Sequence, residues 1–493
     1  MSTANDDLEV HRPRPVGIDT RRPRRIAIVG GGLAGLTAAL KLIDLAERGG
    51  LSVAVTLFEA SDRLGGAIET VHEGDYLIER GADAFLKKPA MIRLCERLKL
   101  TDDLLPTAEQ FRGSLVLRNG RPVRVPEGFN LMAPAKLWPI LATPILSPAG
   151  KLRLLSEAVI PARRETSDES LADFVRRRLG QEALDRLVQP LVAGIYTADP
   201  EKLSLAATLP RFVEMEKRHG SLIRALMASG GHEPAENASG ARYSLVVGLR
   251  GGMEQLFAAL QQAVASAATI RTGTAVGSLR RTDSEWLIAG SSGDPLGEFD
   301  AVVLAVPAFR AASLLTGVDE TLASDLRRIP YASSAIVVTG HPLDEVSHPL
   351  DAFGLVIPTI EEREVLAVSF ASRKFPGRAP GENVLIRTFV GGAMRPEILS
   401  KSDDELIALV RRELASLLGV SGRPDVALVS RHSEAMPQYH IGHLDLVAKI
   451  EAATARQPGL ELTGSAYRGV GMPDVVADAE RAAESVIGSA VNG

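Results

Sequence analysis

Three glycines near the start of the chain, Gly30, Gly32 and Gly35, stand at the G-x-G-x-x-G spacing that lets a backbone turn hold a phosphate. One makes the tight turn, one lets the backbone approach a pyrophosphate, and one lets a helix pack closely on a strand. Glu59 follows where this arrangement wants a carboxylate for a ribose hydroxyl. Just beyond it come Arg63, Gly65 and Gly66. The arginine can meet a phosphate or the adenine side, and paired glycines let a chain run beside a large planar group. No Ser-His-Asp pattern or metal-ligand cluster accompanies these residues. His432, His440 and His443 lie near one another but lack metal-site spacing and nearby cysteines, so they read as structural.

Positioning the glycines requires particular elements around them. Ile26 to Val29 is apolar without alternation, as in a parallel strand covered on both faces. The next segment carries Leu36, Leu40 and Ile43 at helical spacing. A second strand, Val53 to Phe58, ends at Glu59. Strand, helix, strand and terminal acid in this order predict a dinucleotide site in an α/β domain.

Bulk properties narrow the remaining choices. The chain has 493 residues, enough for two or more domains. Its net charge of -5 argues against a general nucleic-acid binder. Cys95 is the single cysteine, which excludes an internal disulfide or an intrachain redox pair, and its helical surroundings predict a packed thiol. Residues 1–24 mix arginine and proline without the apolar stretch of a secretory signal, and read as a disordered tail. Residues 131–155 are very apolar, but Pro139, Pro144 and Pro148 rule against a bilayer span. Two readings of that stretch stay open: a helical wall over an apolar pocket, or an apolar surface that rests on a membrane.

Further along, Asn119-Gly120 between Leu115–Leu117 and Val123–Val125 predicts a hairpin. Residues 168–228 are helix-rich, and Gly230 to Gly240 reads as a boundary loop. Gly251 to Leu256 starts a helix, Ile270 to Val276 with Leu279 reads as a strand, and Ala301 to Pro307 as another. Residues 330–430 alternate short strands and turns, with strands expected at Ala335–Val338, Gly354–Ile357, Val365–Phe370 and Val384–Val390. That region has no glycine fingerprint, so no second nucleotide site is expected there.

The glycine turn, Glu59, Arg63-x-Gly65-Gly66 and Gly81-Ala82-Asp83-Ala84-Phe85-Leu86 together resemble the flavoprotein amine oxidase superfamily. Within it the chain resembles the oxygen-dependent protoporphyrinogen and coproporphyrinogen oxidases. Pro190 to Pro200, His219 to Ile223, Met436 to Tyr439 and Gly464 to Asp474 extend the resemblance over almost the whole chain from Arg25. The family's usual proline and serine are Ala82 and Ala84 here, which blurs detail at the substrate mouth.

The resemblance implies an α/β fold in which a Rossmann-like FAD-binding domain joins a sheet-rich substrate domain and a helical, membrane-facing insertion. The expected boundaries are 25–90, 241–310 and 455–493 for the first, 111–127 and 311–454 for the second, and 128–230 for the third. FAD contacts would fall on Gly30, Gly32, Leu33, Ala34, Gly35, Glu59, Arg63, Gly65, Gly66, Ala67, Gly81, Ala82, Asp83, Ala84, Val276, Gly464, Ser465, Val470, Gly471 and Met472. Gly194 and Phe389, with the strand from Phe353 to Pro358, would position a tetrapyrrole, and Lys87 and Lys88 would meet its carboxylates. Backbone carbonyls near Ala193-Gly194 would accept nitrogen protons. The helix after Pro473 would point its N-terminus at the flavin.

The implied activity is two-electron oxidation of a porphyrinogen by O2 in haem synthesis, in the cytoplasm or on the inner face of the cell membrane, with a homodimer as the candidate assembly. The apolar 131–155 stretch tilts the substrate towards protoporphyrinogen. Two alternatives are another amine oxidase or desaturase of the superfamily, and a flavin-free carrier on the same scaffold. Only 4% aromatic content weighs against an amine-oxidase aromatic cage.

Overall fold

A computed structural model describes residues 22–134, 136–165, 167–228 and 245–491. The expected tail, up to residue 21, and the Gly230–Gly240 boundary lie outside the described residues.

Along the chain the first elements are β1 (Arg24–Val29), α1 (Leu33–Gly49) and β2 (Val53–Phe58). The hairpin strands β3 (Leu115–Arg118) and β4 (Arg121–Arg124) follow. A helical region then runs through α2 (Leu171–Arg178), α3 (Gln189–Tyr196), α4 (Pro210–His219) and α5 (Leu222–Ala228). After it come β5 (Ala268–Arg271), β6 (Ala301–Leu304), β7 (Tyr331–Pro342), β8 (Gly354–Val356), β9 (Ala367–Phe370) and β10 (Asn383–Gly391). The chain closes with α6 (Asp403–Leu418), β11 (Val426–Pro437), β12 (Leu460–Leu462) and α7 (Met472–Val491).

One sheet is fully parallel, in the order β5-β2-β1-β6-β12. Its central strand explains the unalternating apolar run. Ile26 and Ile28 pack with Leu36, Leu40 and Ile43 of α1 and with α7, whereas Ala27 and Val29 pack on the opposite side with Phe58 and Leu304. Cys95 is fully buried in the first of these cores.

The strand expected from Ile270 to Leu279 is two strands. β5 joins the parallel sheet, and Val276–Arg281 belongs to a separate antiparallel sheet. Gly273, at φ +62°, turns the chain between them. The turn lets the Gly273 and Thr274 N–H groups donate to Ser61 O and Glu59 O at 2.7 and 2.8 Å.

The second sheet has the order β11-β7-β10-β9-β8-β3-β4. Its far hairpin turns on Asn119 and Gly120, both at positive φ (+50° and +72°), as the Asn-Gly pair predicts. Alternate residues of a strand share a face, so the register sorts the side chains. Ile336 lies opposite Phe389 and Ser430, Phe389 opposite Ala367, and Ala367 opposite Val356. Val337, Val368 and Leu355 take the other face and pack against Leu406, Leu409 and Val410 of α6. The expected Phe353–Pro358 lining is therefore halved. Gly354 and Val356 share the face of Phe389, while the intervening Leu355 is core, and Phe353 and Ile357 follow its parity.

The apolar 131–155 stretch largely supplies core. Leu131, Met132, Ile140, Ile145, Leu146 and Leu154 are buried against Leu171, Phe174, Val175 and Leu187. Trp138, Leu141 and Leu152 remain exposed. Among the described residues no helix is long and apolar enough to cross a membrane.

A buried ion pair locks this helical region. Arg178 and Glu157 both have fully buried side chains. Arg178 also donates to Gly220 O at 3.0 Å and Ile160 O at 2.9 Å. The Glu157 carboxylate accepts the Ser221 hydroxyl at 2.6 Å and the N–H groups of Leu222 and Ile223 at 2.8 and 3.1 Å, which caps α5. Removing one partner of a buried pair strands the other charge. Glu157→Ala should lower unfolding free energy by roughly 3–5 kcal/mol, read from urea denaturation. A loss within measurement error would show that this lock does not hold the helices.

Candidate active site

The glycine turn divides its work among its members. Gly30 sits at φ +109°, and a Cβ there would come 2.5 Å from Ala305 O. A Cβ on Gly35 would come 1.9 Å from Gly30 O, so this glycine sets the helix–strand contact. Gly32 differs: its Cβ would meet nothing nearer than Gly66 Cα, at 4.0 Å. Gly32 and Gly66 thus face each other across open backbone. Gly32 is also the N-cap of α1 and offers no side chain to cap it, so the first-turn N–H groups stay available to an anion. Glu59 closes the rim. One carboxylate oxygen accepts the Gly31 N–H at 2.7 Å, and the other accepts the N–H and hydroxyl of Ser61, each at 2.8 Å. A dinucleotide fits this arrangement: helix N–H groups for pyrophosphate, a carboxylate for ribose, and a Gly65-Gly66 loop beside it.

Arg63 does not extend freely towards a phosphate. Its guanidinium donates to Gly66 O at 2.6 Å and Ile68 O at 3.2 Å, and pairs with Glu69 at 3.5 Å. It shapes the glycine loop. Val276 lies beyond the Gly273 turn, and Gly277 next to it packs against Gly290 O.

The distant C-terminal loop is held by Asp478 of α7. Its carboxylate accepts the Thr463 hydroxyl at 2.9 Å and the Gly464 N–H at 3.0 Å, and pairs with Arg468 at 2.5 Å. Tyr439 braces the same loop. Its hydroxyl donates to Ser465 O at 2.6 Å and accepts the Gly469 N–H at 2.8 Å. The Tyr439 ring stacks on His443 at 3.9 Å between centroids. Burial pushes the His443 imidazole down to about 4. Gly471 O accepts the N–H groups of Asp474 and Val475, starting α7 just after Val470 and Gly471.

Lys88 belongs to this corner. Its Nζ lies 2.7 Å from Asp474 Oδ1, so it ties the Phe85–Leu86 segment to α7. An ammonium committed to a neighbouring carboxylate is a poor receptor for a substrate carboxylate. The adjoining Lys87 is exposed.

Asp83 likewise serves structure with its side chain. Lys374 Nζ stands 3.0 and 3.1 Å from its two oxygens, and Arg387 stands 3.1 Å away. Burial pushes the Asp83 carboxyl up, but Lys374 and Arg387 outweigh it and hold it at about 2. Arg387 also donates to Gly81 O. Only the backbone of Gly81–Ala84 is left for a cofactor. Because Arg387 and Phe389 share a face of β10, this contact aims Phe389 at the same space.

The last wall is α3. Gly194 and Ile195 are its exposed residues, and a Cβ on Gly194 would lie 3.8 Å from Val356. Ala193 O already accepts the Thr197 N–H at 2.9 Å. Tyr196 O accepts the Gln438 amide at 3.2 Å. The Gly194 carbonyl follows that of Ala193 along this C-terminal turn, beyond that last helical hydrogen bond. Two of the three histidines have evident structural contacts: His443 as above, and His432 with its Nε2 2.8 Å from Arg80 O. A cleft of about 480 Å3 between the ends of β7 and β11 is lined by Asp199, Gln438 and His440 but by none of the residues expected to contact FAD or substrate.

Sequence reasoning missed Arg387, Lys374, Tyr439 and Asp478. Arg387 carried a signal in its two-residue spacing from Phe389 in a predicted strand, and Tyr439 in closing the Met436 to Tyr439 segment, though neither was given a role.

Comparisons with known proteins identify the family and the fold. The family described as flavin containing amine oxidoreductase matches residues 33–487. A protein of Bacillus subtilis named coproporphyrinogen III oxidase is 32% identical, covering 92% of this chain and 96% of its own. One of the same name from Propionibacterium freudenreichii is 33% identical, covering 100% and 96%. Spinach protoporphyrinogen oxidase 1, chloroplastic, is 30% identical, covering 93% and 83%. Among solved structures, one from Exiguobacterium superposes with a TM-score of 0.83 at 28% identity, covering 94% and 98%. Putrescine oxidase bound to putrescine shares the fold, with a TM-score of 0.65 at 18% identity, covering 95% and 99%.

The glycines give a paired test. Gly32→Ala should retain the fold but lose at least about tenfold in FAD affinity, roughly the 1.4 kcal/mol that one displaced contact can supply. Gly35→Ala should lose both flavin and thermal stability. Equal behaviour of the two variants would show that the cradle is misplaced.

Acid should expose two of the groups held below their ordinary values. His443 is held at about 4 against an ordinary 6.5, so the unfolded chain binds its proton first as pH falls. Its contribution to stability is full above 6.5 and is lost towards pH 4. That of Asp83 is lost later, between 3.8 and about 2. The melting temperature should fall from pH 6.5 to 4, and His443→Asn should flatten that slope. An unchanged slope would remove His443 from the account.

Proposed function

This chain belongs to the flavin containing amine oxidoreductases, and we propose that it oxidises coproporphyrinogen III to the corresponding porphyrin with O2 as acceptor. The observation that carries the reading is the shared face of β10. Arg387 grips the Gly81 carbonyl, and Phe389 stands two residues on, opposite the aliphatic Ile336 and Ala367. Such a face suits a large apolar macrocycle lying beside a flavin. The relatives named for porphyrinogen substrates, matched over nearly their full lengths, support the same class.

FAD, when bound, supplies the two-electron acceptor for this chemistry. The chain's own residues bind and orient. Phe389 and Val356 flank the macrocycle, and Gly194 leaves room for it. The Gly194 carbonyl accepts a pyrrole N–H and orients the proton that leaves as the meso carbon is oxidised. Asp83, neutralised by Lys374 and Arg387, takes no part as a base.

The choice of coproporphyrinogen reverses the tilt drawn from residues 131–155. Their apolar side chains mostly fill the helical core, so they say little about the substrate. Lys87 is exposed beside the loop and suits a substrate with more carboxylates. The relatives at 32% and 33% identity carry the coproporphyrinogen name.

Anaerobic mixing of the yellow protein with each porphyrinogen tests this reading. Coproporphyrinogen III should bleach the flavin at least about tenfold faster than protoporphyrinogen IX, a difference of about 1.4 kcal/mol in barrier. Faster bleaching by protoporphyrinogen would reverse the choice, and no bleaching by either would overturn the reading. Gly194→Ala should raise KM by about tenfold, within the roughly 1–3 kcal/mol of an overpacked site, with an unchanged melting temperature.

A further inference from the structure

Arg387 has more to do than hold a strand in register. Its side chain is only 3% exposed, and those of Lys374 and Asp83 are each 16% exposed. Three charges are therefore gathered behind the backbone of Gly81–Ala84. Two positive groups face one carboxylate, and Asp83 is held ionised. The further charges nearby come in opposite pairs, Arg80 with Glu69 at 2.8 Å and Arg378 with Glu79. Arg378 donates to Leu249 O and Arg250 O, and Glu79 accepts the Thr70 hydroxyl and the Met253 N–H. That second pair is opposite in sign and offsets itself. The sum behind the loop is a net positive charge in a poorly solvated place, where electrostatic effects reach furthest.

We infer that the Asp83–Lys374–Arg387 cluster raises the reduction potential of the bound flavin, with Arg387 as the positioning residue that brings its charge to the Gly81–Ala84 backbone. The chemistry is balanced simply. Two electrons and one proton convert FAD to FADH−, which bears one more negative charge than the oxidised ring. A fixed positive charge close by favours that form. The substrate class plays no part in this step. The inference rests on the flavin lying against Gly81–Ala84, and it can be tested without a porphyrinogen.

The test is the midpoint potential of the flavin in the purified holoenzyme, measured by equilibration with reference dyes. Arg387→Met and Lys374→Met should each lower the reduced-to-oxidised ratio about tenfold at fixed potential, a downward move of about 30 mV for two electrons. Asp83→Asn should move the potential upward. Arg387→Lys keeps the charge and should stay close to the parent protein. Opposite signs for removed cations and a removed anion are the signature of charge, whereas general loosening would move all three the same way. Shifts of one sign throughout, no shift in Arg387→Met, or an Arg387→Lys shift as large as that of Arg387→Met would overturn the inference. If Arg387→Met does not retain flavin, Lys374→Met and Asp83→Asn carry the sign test. Shifts as expected with no bleaching by porphyrinogens would sink the substrate reading and leave this one standing.

Discussion

A carboxylate cannot be left unpaired in a poorly solvated place, and the site is built around that constraint at Asp83. Its partners come from another part of the fold, Lys374 after β9 and Arg387 on β10. The pairing joins the loop beside the parallel sheet to the seven-stranded sheet. Once Arg387 is fixed, strand geometry leaves Phe389 no freedom of direction, and the ladder then places Ile336, Ala367 and Val356 on the same face. A change of one residue in register would turn every one of these side chains towards α6. The ion pair therefore specifies an arrangement more than it adds stability, which is what a buried pair is suited to do.

The first half of the cofactor site was legible because its requirements are local. Gly30, Gly32 and Gly35 answer to backbone sterics within one turn, and Glu59 ends the adjoining strand. The other half is assembled from positions far apart in the chain. Nothing in the spacing around Asp83 announces Lys374 or Arg387, and nothing around Ser465 announces Tyr439. Lys88 shows the cost of reading sequence alone. Beside Lys87 it looks like one of two cations awaiting a substrate, yet Asp474, which lies almost at the other end of the chain, claims it. Strand parity caused the misreading at Phe353. The segment contains the expected strand, but which alternate residues share the face of Phe389 depends on its neighbours' register.

Composition was least informative where it was most conspicuous. Residues 131–155 have the same apolar content whether they line a pocket, rest on a bilayer or fill a core. The structure assigns most of them to a core by surrounding them with α2 and its neighbours. That small helical body also buries Arg178 and Glu157, and the pair uses nearly all its hydrogen-bonding capacity on loop carbonyls and the α5 N-terminus. Arg178 at the end of α2 and the His219 to Ile223 segment are thus two ends of one interaction.

Sharing a fold does not settle the reaction. Putrescine oxidase superposes along almost its entire chain at 18% identity, so the scaffold accommodates an amine as well as a macrocycle. The glycine cradle, which a dinucleotide fits, contains no feature that selects one of these substrates. Selection must come from the walls that face it. Here those are the β10 face and the open end of α3, offering aliphatic side chains, one aromatic ring and a backbone carbonyl, with the buried acid neutralised behind them. On that face Phe389 lies beside the aliphatic Ile336 and Ala367, and the carboxylate behind it, Asp83, is already paired with Lys374 and Arg387. The substrate we propose, a porphyrinogen puckered at its saturated meso carbons with N–H groups at its centre, calls for such walls and a carbonyl acceptor rather than for a free carboxylate.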